Sequence, residues 1–117
     1  MPNRTVFFVS DGTGITAETF GNSILAQFGA KPRHVRRPFI DTLEKAQQVV
    51  HEINGCTVSE GRRPIVFITL VNEVVRTFVR DRAQALVLDM FNTFVEPLEA
   101  EFGVKSNHRI GRFSDAS

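Results

Sequence analysis

The sequence predicts an α/β fold in three layers, in which a mostly parallel sheet of about four strands lies between helices. Short apolar segments alternate with longer segments whose apolar residues recur at helical spacing. Two short segments, Thr5–Val9 and Pro64–Leu70, are apolar almost throughout, as strands covered on both faces are. At 117 residues the chain suits one domain with one core. The alternation favours parallel strands with helices on both faces, a Rossmann-like arrangement.

The first third of the chain contains a strand, a helix and a second strand. Thr5–Val9 leads through a short loop into a helix over about Thr13–Phe28, which Gly29 is expected to end. The second strand is predicted over Val35–Ile40. Within it, Pro38 favours an edge position in the sheet or an early end.

The second helix begins with the spacing of a capping box, Asp41-Thr42-Leu43-Glu44, in which the capping Asp41 precedes an acid by three residues. This spacing favours a cap over an acid/base catalytic pair for Asp41 and Glu44. The apolar residues predicted to share one face of this helix are Leu43, Ala46, Val49, Val50 and Ile53. Asn54-Gly55 is expected to end the helix, which leaves residues 56–63 as a polar loop.

The second half begins with the strand Pro64–Leu70, after which Asn72 is the predicted cap of a third helix. Residues 85–88 fit either a fourth strand or part of a long helical region, because their periodicity does not separate the two. A last helix is predicted with a kink or restart at Pro97. Its apolar residues are Phe91, Phe94, Val95, Leu98 and Phe102, and the spacing favours the core for the three phenylalanines.

The loop after the first strand carries the main candidate site. A buried strand, a glycine-bearing turn and a helix start aim backbone N–H groups and the positive helix end at one point, where α/β proteins hold anions. The candidate phosphate- or ligand-binding residues are Ser10, Asp11, Gly12, Thr13, Gly14 and Thr16. Their spacing matches neither G-x-G-x-x-G nor G-x-x-x-x-G-K-[ST]. The alternative, that Thr13 or Thr16 caps the helix and the glycines make the turn, stays open.

Ligands of parallel sheets bind outside the carboxyl ends of the strands, where the segments Ser10–Thr16, Ile40–Thr42 and Leu70–Asn72 should converge. Arg36 and Arg37 are secondary candidates, because an arginine near this edge could donate two hydrogen bonds to a phosphate. The alternative, which we favour, is a charged edge strand that resists aggregation.

Asp11 does not fit two known classes of phosphate-handling protein. Haloacid-dehalogenase-type phosphatases carry a nucleophilic Asp two places before the Asp of Asp-Gly-Thr, and Val9 occupies that place here. Response-regulator receivers carry a phosphoacceptor Asp at the end of the third strand, where this chain has Ile68-Thr69-Leu70. Asp11 is therefore interpreted as a helix cap or as a residue that orients a hydroxyl.

Composition excludes several further classes. The net charge of +1 gives no case for nucleic acid or an acidic membrane, and no apolar run is long enough to span a membrane. The single cysteine, Cys56, favours a cytoplasmic protein. His34, His51 and His108 have no metal-ligand spacing with one another or with Cys56, so no metal site is predicted.

The end of the chain is polar and has no apolar period. We therefore predict an α/β domain over residues 1–103, followed at 104–117 by a linker that is cut short.

Several segments together resemble one family, the pyruvate, water dikinase (phosphoenolpyruvate synthase) regulatory proteins, which includes the plant pyruvate, phosphate dikinase regulatory proteins. The segments are Ser10–Glu18, Pro38–Ile40, Arg63–Phe67, Phe94–Glu99 and His108–Gly111. The resemblance spans the chain but covers only the front part of the family pattern, so the chain would be the N-terminal domain of such a regulator.

The resemblance implies a bifunctional parent protein. Such a protein phosphorylates a threonine of the dikinase with ADP, and removes that phosphate with inorganic phosphate to give pyrophosphate. The family carries its P-loop and catalytic acid in a C-terminal domain, and G-x-x-x-x-G-K-[ST] is absent from these 117 residues. The resemblance thus implies no catalytic residue and no cofactor in this chain, with ADP and phosphate as substrates of the parent. The implied partners are phosphoenolpyruvate synthase and the protein's own C-terminal kinase domain.

Three roles remain open for the chain itself. It could be an inactive part of an enzyme whose chemistry lies elsewhere, or a phosphate- or nucleotide-binding module built on the Ser10–Thr16 loop. It could also be a docking module, for the dikinase or for a homodimer, that acts through its Phe-rich helices.

Overall fold

A four-stranded sheet separates two pairs of helices in the computed structural model, which describes residues 4–29 and 31–106. The elements are β1 (Thr5–Ser10), α1 (Ile15–Leu25), β2 (Arg33–Arg37), α2 (Leu43–Glu60), β3 (Ile65–Thr69), α3 (Glu73–Arg82), β4 (Leu86–Asp89) and α4 (Met90–Phe102). A 3₁₀ turn, Ala26–Phe28, extends α1 to Gly29, as expected. The predicted three-layer α/β fold of Rossmann-like kind is confirmed.

The strands are all parallel and lie in the order β2-β1-β3-β4. The chain passes from β1 outward to β2, then crosses to β3 and continues to β4 on the other side. The winding direction therefore reverses between β1 and β3. In open α/β sheets the crevice outside the carboxyl ends of two such strands is the usual ligand position. The loop after Ser10 and the segment after Thr69 meet there.

The two faces of the sheet are covered unequally. The face under α2 and α3, the back layer, holds one cluster of twelve buried apolar residues, including Val50, Ile53 and Val79. The face under α1 and α4, the front layer, holds a cluster of only four: Val6, Phe8, Ala17 and Phe67. Most of the hydrophobic stabilisation of the domain therefore comes from the back layer.

The close approach of α1 to the sheet depends on Gly21. A Cβ at this position would lie 2.5 Å from a ring carbon of Phe8 and 3.2 Å from Phe67. The two rings stack with centroids 5.7 Å apart, so the first ring has little room to move. A glycine in mid-helix costs helix propensity, and here it allows α1 to seat directly on the sheet.

Two predicted boundaries early in the chain are wrong. The second strand is Arg33–Arg37, two residues earlier than predicted at its start, and it ends before Pro38, which cannot donate to the sheet. It is an edge strand, as expected. The cap of α2 is Thr42 rather than Asp41, because Thr42 Oγ1 accepts a hydrogen bond from the N–H of Lys45 at 3.2 Å.

The predicted end of the second helix is also wrong. α2 continues through Asn54-Gly55 to Glu60, so residues 56–60 are helical and not loop. The side chain of Asn54 bonds the segment between α3 and β4, donating to Arg82 O at 3.2 Å and accepting from Gln84 N at 2.7 Å. This tertiary pairing uses the amide that would otherwise favour a helix end.

The last elements settle the ambiguity over residues 85–88, which belong to the strand β4. Asn72 caps α3 as predicted, accepting from the N–H of Val75 at 3.1 Å.

α4 runs without a restart through Pro97 and has no buried residue. The expectation that its phenylalanines belong to the core is wrong for Phe94 and Phe102, which are 50% and 68% exposed. Only one sheet face lies beneath α4, and no further described layer covers it.

Candidate functional site

The loop between β1 and α1 is folded by its own hydroxyl groups. The N–H of Gly12 donates to Ser10 Oγ at 3.0 Å, and the N–H of Ile15 donates to Thr13 Oγ1 at 3.3 Å. Ser10 is buried, whereas Thr13 is exposed. A hydroxyl that accepts one hydrogen bond can still donate its own hydrogen. The Thr13 hydroxyl is therefore placed to donate to a ligand at the mouth of the loop.

Gly14 starts α1 without a side-chain cap. Its φ of 85° lies in the left-handed region that favours glycine. Thr13 takes the N–H of Ile15, and Gly14 itself has no side chain to accept from the next N–H groups of the first turn, so these and the positive end of the helix dipole face the loop. Thr16 lies inside the first turn and does not cap the helix. This is the local geometry of helix N-termini that bind anions.

Asp11 joins the two strands at which the winding reverses. Its Oδ2 accepts a hydrogen bond from the N–H of Val71 at 2.7 Å, directly beyond the end of β3. The described contacts give Asp11 neither of the two roles expected from the sequence, helix cap or partner of a hydroxyl. This bond holds the negative charge of Asp11 close to the end of β3. Because that charge repels anions, an anion would be favoured nearer to α1 than to β3.

The segment after β2 closes the same loop from the other side. The N–H of Ile40 donates to Ser10 O, and the N–H of Phe39 donates to Gly12 O, both at 2.8 Å. Phe39 adopts a φ of 60°, which is uncommon for a bulky residue. The predicted convergence of the three strand-end segments is therefore confirmed. Phe39 is 54% exposed although its backbone is bonded to the loop.

Arg36 and Arg37 point to opposite faces of the edge strand, as successive strand residues do. The stem of Arg36 lies over Gly14, where a Cβ would be 3.2 Å from its Cγ and Cδ. Its Nη1 lies 3.7 Å from Glu18 Oε1, on a half-exposed pair. Arg36 thus brings a positive charge to the start of α1.

Arg37 turns instead to the back layer, where it forms a two-pronged ion pair with Glu52 of α2. Its Nε donates to Glu52 Oε1 at 2.8 Å, and its Nη2 donates to Oε2. The hydrogen bonds that Arg37 donates to Glu52 raise the pKa of its guanidinium above its usual value. This side chain is therefore committed to holding β2 against α2 and does not reach the loop.

A second polar cluster, which sequence reasoning missed, lies at the end of β4. Asp89 is 9% exposed, and its Oδ1 caps α4 by accepting from the N–H groups of Phe91 and Asn92 at 3.0 and 3.3 Å. Its Oδ2 faces Arg76 Nε at 3.6 Å, and Arg76 Nη1 donates to Asn92 Oδ1 at 2.8 Å. The available signal was the acid directly after the apolar run Leu86–Leu88, which fits a strand end followed by an N-cap.

A cavity of about 300 Å³ lies beside this cluster, between α3 and α4. Its polar lining includes Arg76, Asn92, Glu73, Glu96 and Lys105. Arg76 bonds Asn92 and pairs with Asp89, although its Nε and Asp89 Oδ2 are buried without a hydrogen-bond partner, and the remaining charges are of mixed sign. The cluster therefore fixes the start of α4 and does not favour one class of ligand.

Within residues 4–29 and 31–106, no group of three or more His, Cys, Asp or Glu side chains is arranged to hold a metal ion. A search of the same residues for a helix long and apolar enough to cross a membrane also finds none.

Comparison with known proteins identifies the family of this chain. Residues 6–117 match the family described as kinase/pyrophosphorylase. The chain belongs to the kinase/pyrophosphorylase family. The resemblance found in the sequence is thereby confirmed.

Three members of the kinase/pyrophosphorylase family illustrate the similarity, each named "Putative phosphoenolpyruvate synthase regulatory protein". The protein from Leptothrix cholodnii is 74% identical over 117 residues, that from Methylibium petroleiphilum 76%, and that from Verminephrobacter eiseniae 67%. Each match covers 100% of this chain but only 43% of the relative. The chain thus spans less than half the length of these relatives.

In this member of the kinase/pyrophosphorylase family, the structure brings the predicted loop residues and one of the two predicted arginines to a single place. The loop residues are Ser10, Asp11, Gly12, Thr13, Gly14 and Thr16. Arg36 joins them, and Arg37 does not. Ligand binding by this set stays a prediction. The domain boundary predicted at residue 103 falls at the glycine that ends α4, and residues 107–117 of the predicted linker lie outside the described residues.

Proposed function

We propose that the complete protein is a regulator that phosphorylates and dephosphorylates phosphoenolpyruvate synthase, and that this chain is one α/β part of it. The observation that carries the proposal is the family match over residues 6–117, because both activities in the family description transfer phosphoryl groups. The names of the relatives identify phosphoenolpyruvate synthase as the protein they regulate. We also propose a cytoplasmic location, which the single cysteine favours.

The proposed reactions are two phosphoryl transfers at one threonine of the synthase. In the first, the threonine hydroxyl attacks the β-phosphorus of ADP, loses its proton and releases AMP. In the second, inorganic phosphate attacks the phosphothreonine and leaves as pyrophosphate, and the threonine hydroxyl is restored. ADP and phosphate are thus the proposed substrates, and the residues of this chain supply neither a P-loop nor an assigned catalytic group.

We propose that this chain contributes an anion-binding position at the start of α1. The uncapped helix N-terminus at Gly14, the free donor capacity of Thr13 and the guanidinium of Arg36 support it. Two acids work against strong binding, since Glu18 pairs with Arg36 and Asp11 lies deeper in the crevice. A phosphate bound here would therefore be held weakly unless another part of the protein adds donors.

The activity is tested with the complete protein, phosphoenolpyruvate synthase and ADP labelled at the β-phosphate. We expect label on a threonine of the synthase, and its release as pyrophosphate when unlabelled phosphate is added. The 117-residue chain alone should transfer no label. Transfer by that chain would place the chemistry within these residues, and failure of the complete protein to label the synthase would contradict the proposed reactions.

The anion position is tested by isothermal titration of the complete protein with phosphate, ADP and AMP. Arg36→Gln and Thr13→Ala should each weaken phosphate binding severalfold. Arg33→Gln is the matched control, because Arg33 lies on the same strand but its side chain reaches Cys56 of the back layer. Equal effects of the two arginine substitutions would show that general charge, and not the α1 position, attracts the anion.

A further inference from the structure

The front layer exposes two parallel series of large apolar side chains. Both α1 and α4 follow strand ends at the same edge of the parallel sheet and run back in the same direction. Their rings meet at Phe20 and Phe94, edge to face with centroids 5.7 Å apart. From this contact α4, and α1 with its 3₁₀ turn, continue with apolar residues four and eight positions on. The six residues form what we call the front surface: Phe20, Ile24, Phe28, Phe94, Leu98 and Phe102.

These side chains are exposed to an extent that is unusual for such residues in a single group. Phe28 is 75% exposed, Phe102 68%, and both Phe94 and Leu98 50%. Exposed apolar residues that occur singly need no explanation, but a contiguous group marks an interaction site. Aromatic residues, phenylalanine among them, are enriched at protein interfaces.

The neighbouring edge strand shows the same incomplete cover. Leu86 and Leu88 of β4 pair in register with Ile65 and Phe67 of β3, so their side chains lie on the front face. They remain 36% and 39% exposed because α4 packs mainly over β3. The front face of the sheet thus lacks full cover at β4, whereas β1 and β3 are covered there.

We infer that the front surface is covered by the remaining part of the longer protein to which this chain corresponds. The relatives are more than twice as long as the matched region, so more than half of each lies outside it. Phe102 of the front surface is also the last residue of α4, and the chain proceeds from there through residues 103–106. A covalently attached partner has a high effective concentration at a neighbouring surface.

This inference needs the longer protein but not the catalytic activity proposed above. The contact would be apolar at its centre and would bury the outward sides of α1 and α4. The alternative is that a second copy of the chain covers the front surface, and the two cases can be distinguished by measurement. Cover by a second copy depends on protein concentration, whereas cover within one polypeptide does not.

The test is hydroxyl-radical footprinting of the complete protein, read by mass spectrometry at two concentrations a hundredfold apart. Modification of Phe94, Leu98 and Phe102 should be about fivefold lower than their exposures predict, as for residues at an interface centre. Val58 and Leu43, 80% and 41% exposed on the back layer, serve as controls and should react according to those exposures. The readout needs neither ADP nor the synthase.

A substitution in the complete protein provides the second arm. Leu98→Lys should restore the modification of Phe94 and Phe102, while Val58→Lys, also near the end of a helix, should change neither. Phe7, fully buried in the sheet, should stay protected in both variants and so report that the domain remains folded. Full reactivity of the front surface in the unsubstituted protein, protection only at the higher concentration, or protection that survives Leu98→Lys would each overturn the inference.

Discussion

The close packing of α1 against the sheet can be tested with two glycines. Both lie inside a helix, but only one of them has other side chains in close contact. Gly21 lies within α1, and a Cβ there would meet Phe8 at 2.5 Å. Gly55 lies within α2, and a Cβ there would meet nothing within 4 Å. Substituting each by alanine therefore separates helix propensity, which both changes improve, from packing, which only one of them disturbs.

The expected magnitudes follow from these distances. Gly55→Ala should raise the free energy of unfolding by about 0.5–1 kcal/mol, the difference between the two residues in a helix interior. Gly21→Ala gains the same amount but must displace a fully buried ring that stacks on Phe67 and meets the edge of His34. Overpacking of this kind costs about 1–3 kcal/mol. Since backbone and rings are both fixed, we expect the upper end and a net loss of about 2 kcal/mol.

Urea denaturation followed by far-ultraviolet circular dichroism is the appropriate assay, because the chain has no Trp or Tyr for fluorescence. The two variants should differ by about 3 kcal/mol at equal m value, and by more than about 10 °C in Tm for a domain of this size. If Gly21→Ala were as stable as Gly55→Ala, α1 would not lie as close to Phe8 as the structure shows, and the account of the front layer would be refuted.

Three further outcomes are expected. Thr42→Ala should lower the free energy of unfolding by about 1 kcal/mol through loss of the α2 cap, whereas Asp41→Ala should have a much smaller effect in the same urea titration. Asp11→Ala should cost about 1–3 kcal/mol because it leaves the N–H of Val71 without its acceptor, and hydrogen exchange of that amide should accelerate; unchanged exchange would contradict this. The hydrogen bond from Lys45 lowers the pKa of Asp41, so Lys45→Met should raise it, as measured by carboxyl NMR. The contribution of this pair is present above the unfolded-state pKa of Asp41 and is lost as the pH falls through the lowered one; an unshifted titration in the variant would argue against the pair.

The sequence was most informative where local pattern and tertiary structure agree. β1 and β3 are apolar runs because they are buried on both faces, and the alternation of such strands with helices predicted the parallel sheet and the edge at which a ligand is expected. The end of α2 was misjudged because the amide of Asn54 bonds residues of the α3–β4 connection, about thirty positions away. Rules that consider only neighbouring residues cannot predict a hydrogen-bond partner so distant in sequence.

The location of the candidate site could be predicted from the sequence, but the contacts among its residues could not. The glycines and hydroxyls of the Ser10–Thr16 loop were visible in the sequence, and so was its position at a strand end. The hydrogen bond from the N–H of Val71 to Asp11 depends on the pairing of β1 with β3, whose residues are distant in sequence. The pairing of Arg36 with Glu18 and of Arg37 with Glu52 likewise depends on how α1 and α2 pack against β2. For the same reason the exposure of Phe94 was not foreseen, since helical spacing describes a face without saying whether anything covers it.

The bond between Asp11 and Val71 also sets when the loop can acquire its final shape during folding. Its two ends are 60 residues apart, whereas the bonds from Gly12 to Ser10 and from Ile15 to Thr13 join residues two apart. Long-range contacts form late because chain entropy must be lost before they are made. The local turn can therefore arise as soon as β1 and α1 do, but the crevice exists only after β3 has docked beside β1. A nascent chain shorter than about 70 residues would carry every predicted loop residue and still lack the site.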